Sequence, residues 1–383
     1  MQALQQVLNA SVAEADVPFV VAMVARHDGV VFSGAAGEAA SGRKAAEDTI
    51  FRIFSMTKAI GSTAAMILID RGQLDADTPV EDILPEFKEI RVLEGYDGNK
   101  PRFRAPKTKA TIRNLATHTS GLEYEFWNAD VVAFMERTGN PTVLAGTKAS
   151  LMGYPMMRDP GTRWGYGTSI DWLGLAVEKI AGKSIVDFCL QEIFDPLGMS
   201  STYFEVPEAE RHRLSAVRIR GADGQFAPIE IAPAPNPEVY GMGHCLYSTA
   251  PDYLRFLRMF LNRGELEGKR ILSKMGVDWM LADQMRGLRL LRMVTSSPVT
   301  DSFEPFPGTR VTHSFGFMRN EADIPGMRTA GSLSWAGVLN SHYWFDPAKG
   351  IAAVIATQTL PFVEPRFLKT YVGYEQAVYR AIG

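Results

Sequence analysis

Ser55 and Lys58 stand three residues apart at the head of a segment whose apolar residues recur at helical spacing. On a helix such a pair shares one face, so the lysine side chain lies alongside the serine hydroxyl. Nucleophilic catalysis needs this proximity. A serine hydroxyl is a poor nucleophile until a neighbouring base takes its proton, and a lysine is such a base once desolvation or another cation lowers its pKa. The spacing alone is not specific, because Ser41-Gly42-Arg43-Lys44 repeats it in a polar stretch with no helical pattern behind it. It also describes a serine that caps a helix and a lysine that faces water.

Other common chemistries lack their residues. The six histidines, at 27, 118, 212, 244, 313 and 342, show neither HExxH nor another paired metal spacing, and the two cysteines, Cys189 and Cys245, form no CxxC. No metal site is expected. Gly241-Met242-Gly243 lacks the third glycine of a dinucleotide loop, and Gly182-Lys183-Ser184 lacks the earlier glycine of a phosphate-binding loop. No GxSxG occurs, which sets aside the α/β-hydrolase route to serine catalysis.

The elements that must hold the pair are partly legible. Residues 1–17 read as an amphipathic helix with neither a cationic n-region nor an apolar h-region, so no export signal is expected. Residues 18–32 read as a β-hairpin turning at Asp28-Gly29. Residues 54–68 are helical, with Gly72 just beyond as a stop. The stretch 75–220 carries helical patterns broken by Pro and Gly, with few convincing strands. Thr249 with Asp252 forms a capping box ahead of 253–261, and Thr168 with Asp171 suggests another just after Tyr166. Strands are expected at 315–319, 341–345 and 351–358, and a closing helix at 371–382.

At 383 residues the chain exceeds the size at which one core usually stops growing, so two domains or one domain with a large insertion are expected. Apolar residues make up 46% and charged residues 22%, within the globular range. A net charge of −3 with scattered Lys and Arg offers no nucleic-acid footprint, and no apolar run is long enough for a membrane span. Two cysteines make no disulfide framework and suit a reducing, cytoplasmic setting.

Several segments together resemble a known superfamily. Phe54-Ser55-Met56-Thr57-Lys58, followed by an Ala- and Met-rich helix, resembles the nucleophile motif of class C β-lactamases, penicillin-binding peptidases and the related family VIII carboxylesterases. Leu115-Ala116-Thr117-His118-Thr119-Ser120-Gly121-Leu122 is similar to the His-Thr-Ser-Gly-Leu segment of that superfamily. Pro160-Gly161-Thr162-Arg163-Trp164-Gly165-Tyr166, with Ser169 and Asp171 after it, resembles its tyrosine motif. Residues 241–250 and Trp335-Ala336-Gly337 are similar to its later landmarks. The matches keep family order and span nearly the whole chain.

The resemblance implies an α/β (α+β) fold of the β-lactamase/transpeptidase type. An antiparallel sheet built from both chain ends, 1–75 with 225–383, would be flanked by helices, and 76–224 would form a mainly helical domain across the active site. It implies Ser55 as acylated nucleophile and Lys58 with Tyr166 as the proton-transfer pair. Backbone N–H groups of Ser55 and Val338 would form the oxyanion hole, and Trp335, Ala336 and Gly337 would line the site on a strand. His118 is then a landmark of the fold. No cofactor is required.

Two departures bear on the substrate. Where β-lactamases of this kind carry Lys-Thr-Gly, this chain has Trp335-Ala336-Gly337, without the cation and hydroxyl that would meet a β-lactam carboxylate. The asparagine two residues beyond the tyrosine is replaced by Thr168. Both favour small, uncharged carboxylic esters as substrates. A β-lactamase, cell-wall peptidase, amide hydrolase or acyltransferase would share the acyl-enzyme step, and a non-catalytic binding protein could keep the scaffold. Leu122, Tyr124, Phe126, Trp127, Met152, Tyr154, Met156 and Met157 form an apolar region that either packs as core or lines the substrate pocket; Tyr124, Trp127 and Thr168 are the candidate contacts there.

Overall fold

The computed structural model of the protein describes residues 1–382. The elements that position the site are, in chain order, α1 (Gln2–Ala13), β1 (Phe19–Ala25), β2 (Val30–Ala40), β3 (Arg43–Lys44), α2 (Thr57–Asp70), β4 (Val92–Asp97), β5 (Lys100–Arg104), α3 (Ser169–Ala181), β6 (Val217–Arg220), α4 (Ala250–Leu261), β7 (Val311–His313), β8 (Met318–Asn320), β9 (Leu333–Gly337), β10 (Ser341–Asp346), β11 (Ile351–Ala356) and α5 (Pro365–Ile382).

Eight strands form one sheet in the order β7-β8-β9-β10-β11-β1-β2-β3, every neighbouring pair antiparallel. The two chain ends meet where β1 pairs with β11, Val21 opposite Ala356. All seven residues of β1 are buried, because helices cover both faces and the side chains alternate between them. Val21 and Met23 join Tyr343 and Phe345 in the core beneath α2 and α4, whereas Val20 and Ala22 join Trp344 and Tyr374 beneath α1 and α5. The same core continues past α2 to Trp172 and Leu173 of α3. Residues 57–68 of α2 are buried without exception, so this helix, apolar on all sides, runs through the middle of the molecule. No helix among the described residues is long and apolar enough to cross a membrane.

The hairpin at Asp28-Gly29 forms as expected, with Arg26 N–H donating to the Gly29 carbonyl at 2.8 Å. Four expectations need correction. The strand expected over 315–319 begins only at Met318, because Gly316 turns the chain at φ +105°. The closing helix starts at Pro365. The stretch 75–220 is not free of strands: β4 and β5 make an antiparallel hairpin and β6 joins a smaller sheet. Thr249 does cap α4, its hydroxyl accepting from Asp252 N at 3.4 Å, but the Asp252 carboxylate turns outward to Ser201 N and the Thr202 hydroxyl.

Candidate active site

Ser55 lies in a single 3₁₀ turn, Phe54–Met56, that leads directly into α2. Phe54, just before it, has φ +40°, a conformation that costs a non-glycine residue about 1–3 kcal/mol and survives only where the surroundings enforce it. The enforcing contact is visible. A Cβ on Gly337 would sit 2.3 Å from the Ile53 carbonyl oxygen, so only glycine lets the end of β9 press against this turn. That approach brings Val338 to the same cleft wall as Ser55. The Val338 N–H has no acceptor among the described residues, and the first N–H groups of a helical turn lack intrahelical acceptors as well.

Lys58 is 2% exposed. Its Nζ lies 3.1 Å from Ser55 Oγ, 3.2 Å from the Tyr124 hydroxyl and 2.7 Å from the Gly243 carbonyl, three oxygens that can each accept from it. All three acceptors are neutral. The rival pair, Ser41 and Lys44, is exposed on the β2–β3 turn and has no helix behind it.

The phenol hydroxyl bonded to Lys58 is Tyr124, not Tyr166. Tyr166 instead presents its ring, whose centroid is 4.8 Å from Nζ, and its hydroxyl accepts from Trp335 Nε1 at 3.0 Å. Burial, with Asp171 and Tyr166 nearby, holds the Tyr124 hydroxyl well above the usual tyrosine pKa, so it stays a protonated phenol. The two tyrosines meet edge to face, centroids 5.3 Å apart.

The loops that carry these groups are stitched together by backbone. Gly165 N–H donates to the His118 carbonyl at 2.8 Å and Tyr124 N–H to the Tyr166 carbonyl at 2.9 Å. The His118 ring packs 4.8 Å from Tyr166 and 5.4 Å from His313. Burial, aided by His313 and Lys58, pushes its pKa well down and keeps it neutral. It does not line the cleft.

Asp171 is a residue whose role the sequence did not reveal. The capping box expected of it does not form: Thr168 makes no side-chain cap, and Asp171 Oδ1 instead accepts from Gly243 N at 2.8 Å. The Gly243 carbonyl is the one that holds Lys58, so the carboxylate positions the lysine nitrogen through a single glycine residue. His244, beside it, has Nδ1 3.4 Å from Asp171 Oδ1 and lines the cleft. A lone histidine between glycine and cysteine gave no sign of a partner 73 residues away.

The apolar region divides. Tyr124, Phe126 and Trp127 line the cleft, while Leu122, Tyr154 and Met156 are core. Trp335 and Ala336, each 9% exposed, line it as expected. Thr168 does not reach it, being fully buried, and Gly337 serves the backbone approach. Val143, Leu144, Ile231, Met293 and Phe362 complete the wall from segments that carried no motif. No Asp, Glu, Lys or Arg stands in the lining.

Comparison with known proteins agrees with this architecture. The Beta-lactamase family model matches residues 4–377. Acyltransferase calJ of Penicillium decumbens is 30% identical over 334 residues, which cover 83% of this chain and 78% of that protein. Lovastatin esterase of Penicillium rubens is 28% identical over 346 residues, 86% of each chain. The fold is shared with a solved mutant of the simvastatin synthase LovD of Aspergillus terreus, at a TM-score of 0.86 and 23% identity, over 99% of this chain and 94% of that one.

Proposed function

We propose that this chain, which belongs to the Beta-lactamase family, is a serine hydrolase that cleaves uncharged carboxylic esters through an acyl-enzyme on Ser55. The observation that carries the reading is Lys58 Nζ 3.1 Å from Ser55 Oγ beneath an apolar cleft whose lining holds no Asp, Glu, Lys or Arg. Ser55 Oγ attacks the ester carbonyl as its proton passes to Lys58 Nζ, which takes part as a neutral amine with its lone pair turned to Ser55 Oγ and its two N–H groups donating to Tyr124 and Gly243. The carbonyl oxygen, now an alkoxide, is held by the N–H groups of Ser55 and Val338. As the tetrahedral intermediate collapses, the C–O bond to the alcohol breaks. Tyr166, whose oxygen already accepts from Trp335, keeps its own O–H free to donate to the leaving oxygen, and the phenolate so formed, its ring 4.8 Å from the protonated Lys58 Nζ, regains its proton from the attacking water in the second half of the reaction. Water then takes the alcohol's place, and the same groups work in reverse.

The lining argues for neutral substrates. A carboxylate buried against this wall would find no cation, and its desolvation cost, on the order of several kcal/mol, would go uncompensated. Acyl transfer to an alcohol is the second reading, favoured by an apolar cleft that holds water poorly and by relatives named as acyltransferases. Both need Ser55. Intact-mass analysis after brief exposure to p-nitrophenyl butyrate should show one acyl adduct, mapping to Ser55 and absent in Ser55→Ala. Catalytic efficiency on that ester should far exceed that on nitrocefin; the reverse ratio would overturn the substrate class while leaving the nucleophile.

A further inference from the structure

The cleft over Ser55 is narrow, with about 70 Å³ of free space, but it adjoins a chamber of about 330 Å³. Met293, Trp335, Ala336 and Phe362 line both. The chamber lies on the α5 side of β9. Ala336 faces it, with His342 opposite on β10, Leu368 of α5 closes the far wall, and the exposed Val372 of α5 stands at the mouth. Phe303 and Phe306 cover it from a segment tied down by paired backbone bonds between Met293 and Phe303, at 2.8 and 2.9 Å. Space exists here because β8 pairs with β9 only at Leu333 and Ser334, leaving the edge beside Trp335–Gly337 without a neighbouring strand. Nothing in the mechanism above uses this chamber.

We propose that the chamber is the subsite for the apolar body of the alcohol half of the substrate, a neutral alcohol bearing a ring system or an extended chain. The inference rests on the acyl-enzyme reading of Ser55. The leaving oxygen must come within hydrogen-bond reach of the Tyr166 hydroxyl to be protonated, and that hydroxyl is bonded to the Trp335 indole. Trp335 is the partition between cleft and chamber, so the carbon skeleton of the alcohol continues past it. The acyl chain has the other end of the cleft, among Phe54, Leu144, Ile231 and Leu360.

Charge is excluded by the walls. The chamber is lined by no Lys or Arg, and Glu304 at its exposed mouth repels an anion. His342, packed among Phe362, Phe367 and Tyr371, is held neutral, its pKa pushed down to about 3 by burial and by Arg328. Its Nε2 has no hydrogen-bond partner, and so offers one polar contact in an otherwise apolar room.

Two butyrates, of ethanol and of 2-naphthalenemethanol, test the assignment alongside ethyl octanoate. The wild-type protein should favour the naphthylmethyl over the ethyl ester in kcat/KM by at least about tenfold, the scale that apolar pocket contacts supply. Leu368→Trp, which fills the chamber, should lower that ratio about tenfold; Val372→Trp at the mouth gives the same reading should the first variant not fold. No preference in the wild type, or a loss that follows the octanoate chain instead, overturns the proposal. If no ester is turned over, the acyl-enzyme reading fails, and the chamber is judged by calorimetry with 2-naphthalenemethanol on Ser55→Ala: binding weakened by Leu368→Trp sustains it, and no binding ends it.

Discussion

Lys58 and Arg328, the two most deeply buried cationic side chains among the described residues, lie on opposite faces of one sheet, and their surroundings differ. Arg328 is fully buried against α5, where Nε and Nη2 each donate to the Glu375 carboxylate at 2.7 Å and Nη2 also donates to the Tyr371 hydroxyl. Burial alone would lower its pKa, but Glu375 and Tyr371 raise it, so the charge is fixed. Lys58 is as deeply buried, yet its three partners are a hydroxyl, a phenol and a carbonyl. A carboxylate partner holds a proton on its cation, whereas neutral oxygens position the nitrogen without that hold. Arg328 is therefore arranged to keep its charge, whereas Lys58 stands against the Ser55 hydroxyl with no carboxylate of its own, the setting that the proposed proton transfer requires.

The comparison is broken most directly by making both cations apolar. Lys58→Met should lower kcat by about 10²–10⁴, the usual worth of general-base assistance, while the unfolding midpoint holds. Arg328→Met should do the opposite, because it strands Glu375 as an unpaired buried charge, at a cost of about 3–5 kcal/mol in urea unfolding, with the activity of the folded fraction retained. Adding Glu375→Leu should recover much of that loss. If Lys58→Met unfolds the protein as readily as Arg328→Met, the two sites do not differ in kind.

The two tyrosines sharpen the Lys58 side. Tyr124→Phe removes the hydroxyl bonded to Nζ, and its effect should vanish in a Lys58→Met background, since both serve one unit. Tyr166→Phe should cut kcat by about 10²-fold, and Trp335→Phe by less, because losing the indole N–H removes one bond to the phenol and leaves its O–H in place. Steady-state kinetics on p-nitrophenyl butyrate separates these, and a Tyr166→Phe enzyme of nearly full activity would return that residue to packing.

A pH effect concerns the histidines that stand beside each cation: His118 near Lys58, with His313 behind it, and His342 near Arg328. All three have pKa values depressed first by burial, His313 to about 4 and His342 to about 3. The native protein keeps them neutral while the unfolded chain protonates them near pH 6.5, so their contribution is complete above about pH 6.5 and lost as pH falls toward the folded values. At pH 5 that amounts to roughly 2 kcal/mol each for His313 and His342, and His118 acts in the same direction. Urea midpoints at pH 7.5 and 5 check the direction, and His342→Phe should flatten the decline. Stability that rises on acidification would contradict this.

The sequence by itself determined the local part of this protein. Ser55 and Lys58 were legible because three residues on a helix are neighbours whatever else the chain does, and the Asp28-Gly29 hairpin and the buried strands expected at 341–345 and 351–358, found at Ser341–Asp346 and Ile351–Ala356, were legible for the same reason. The order of motifs then carried the family and the fold. Only the tertiary structure decided which groups complete the site. Thr168 and Asp171 have capping-box spacing, but the Gly243 N–H, 72 residues on, takes the carboxylate and leaves the Thr168 hydroxyl without a partner. Tyr166 sits in the recognisable motif, yet Tyr124 reaches Lys58, because the tyrosine loop is turned by bonds to the His118 and Tyr124 backbones. The chamber behind Trp335 has no sequence signature, since it is the gap left where β8 stops short of β9's end. Periodicity fixes what lies within a turn or a ladder step. Which distant carboxylate, hydroxyl or apolar wall arrives there depends on how whole faces pack, and no spacing along the chain records that.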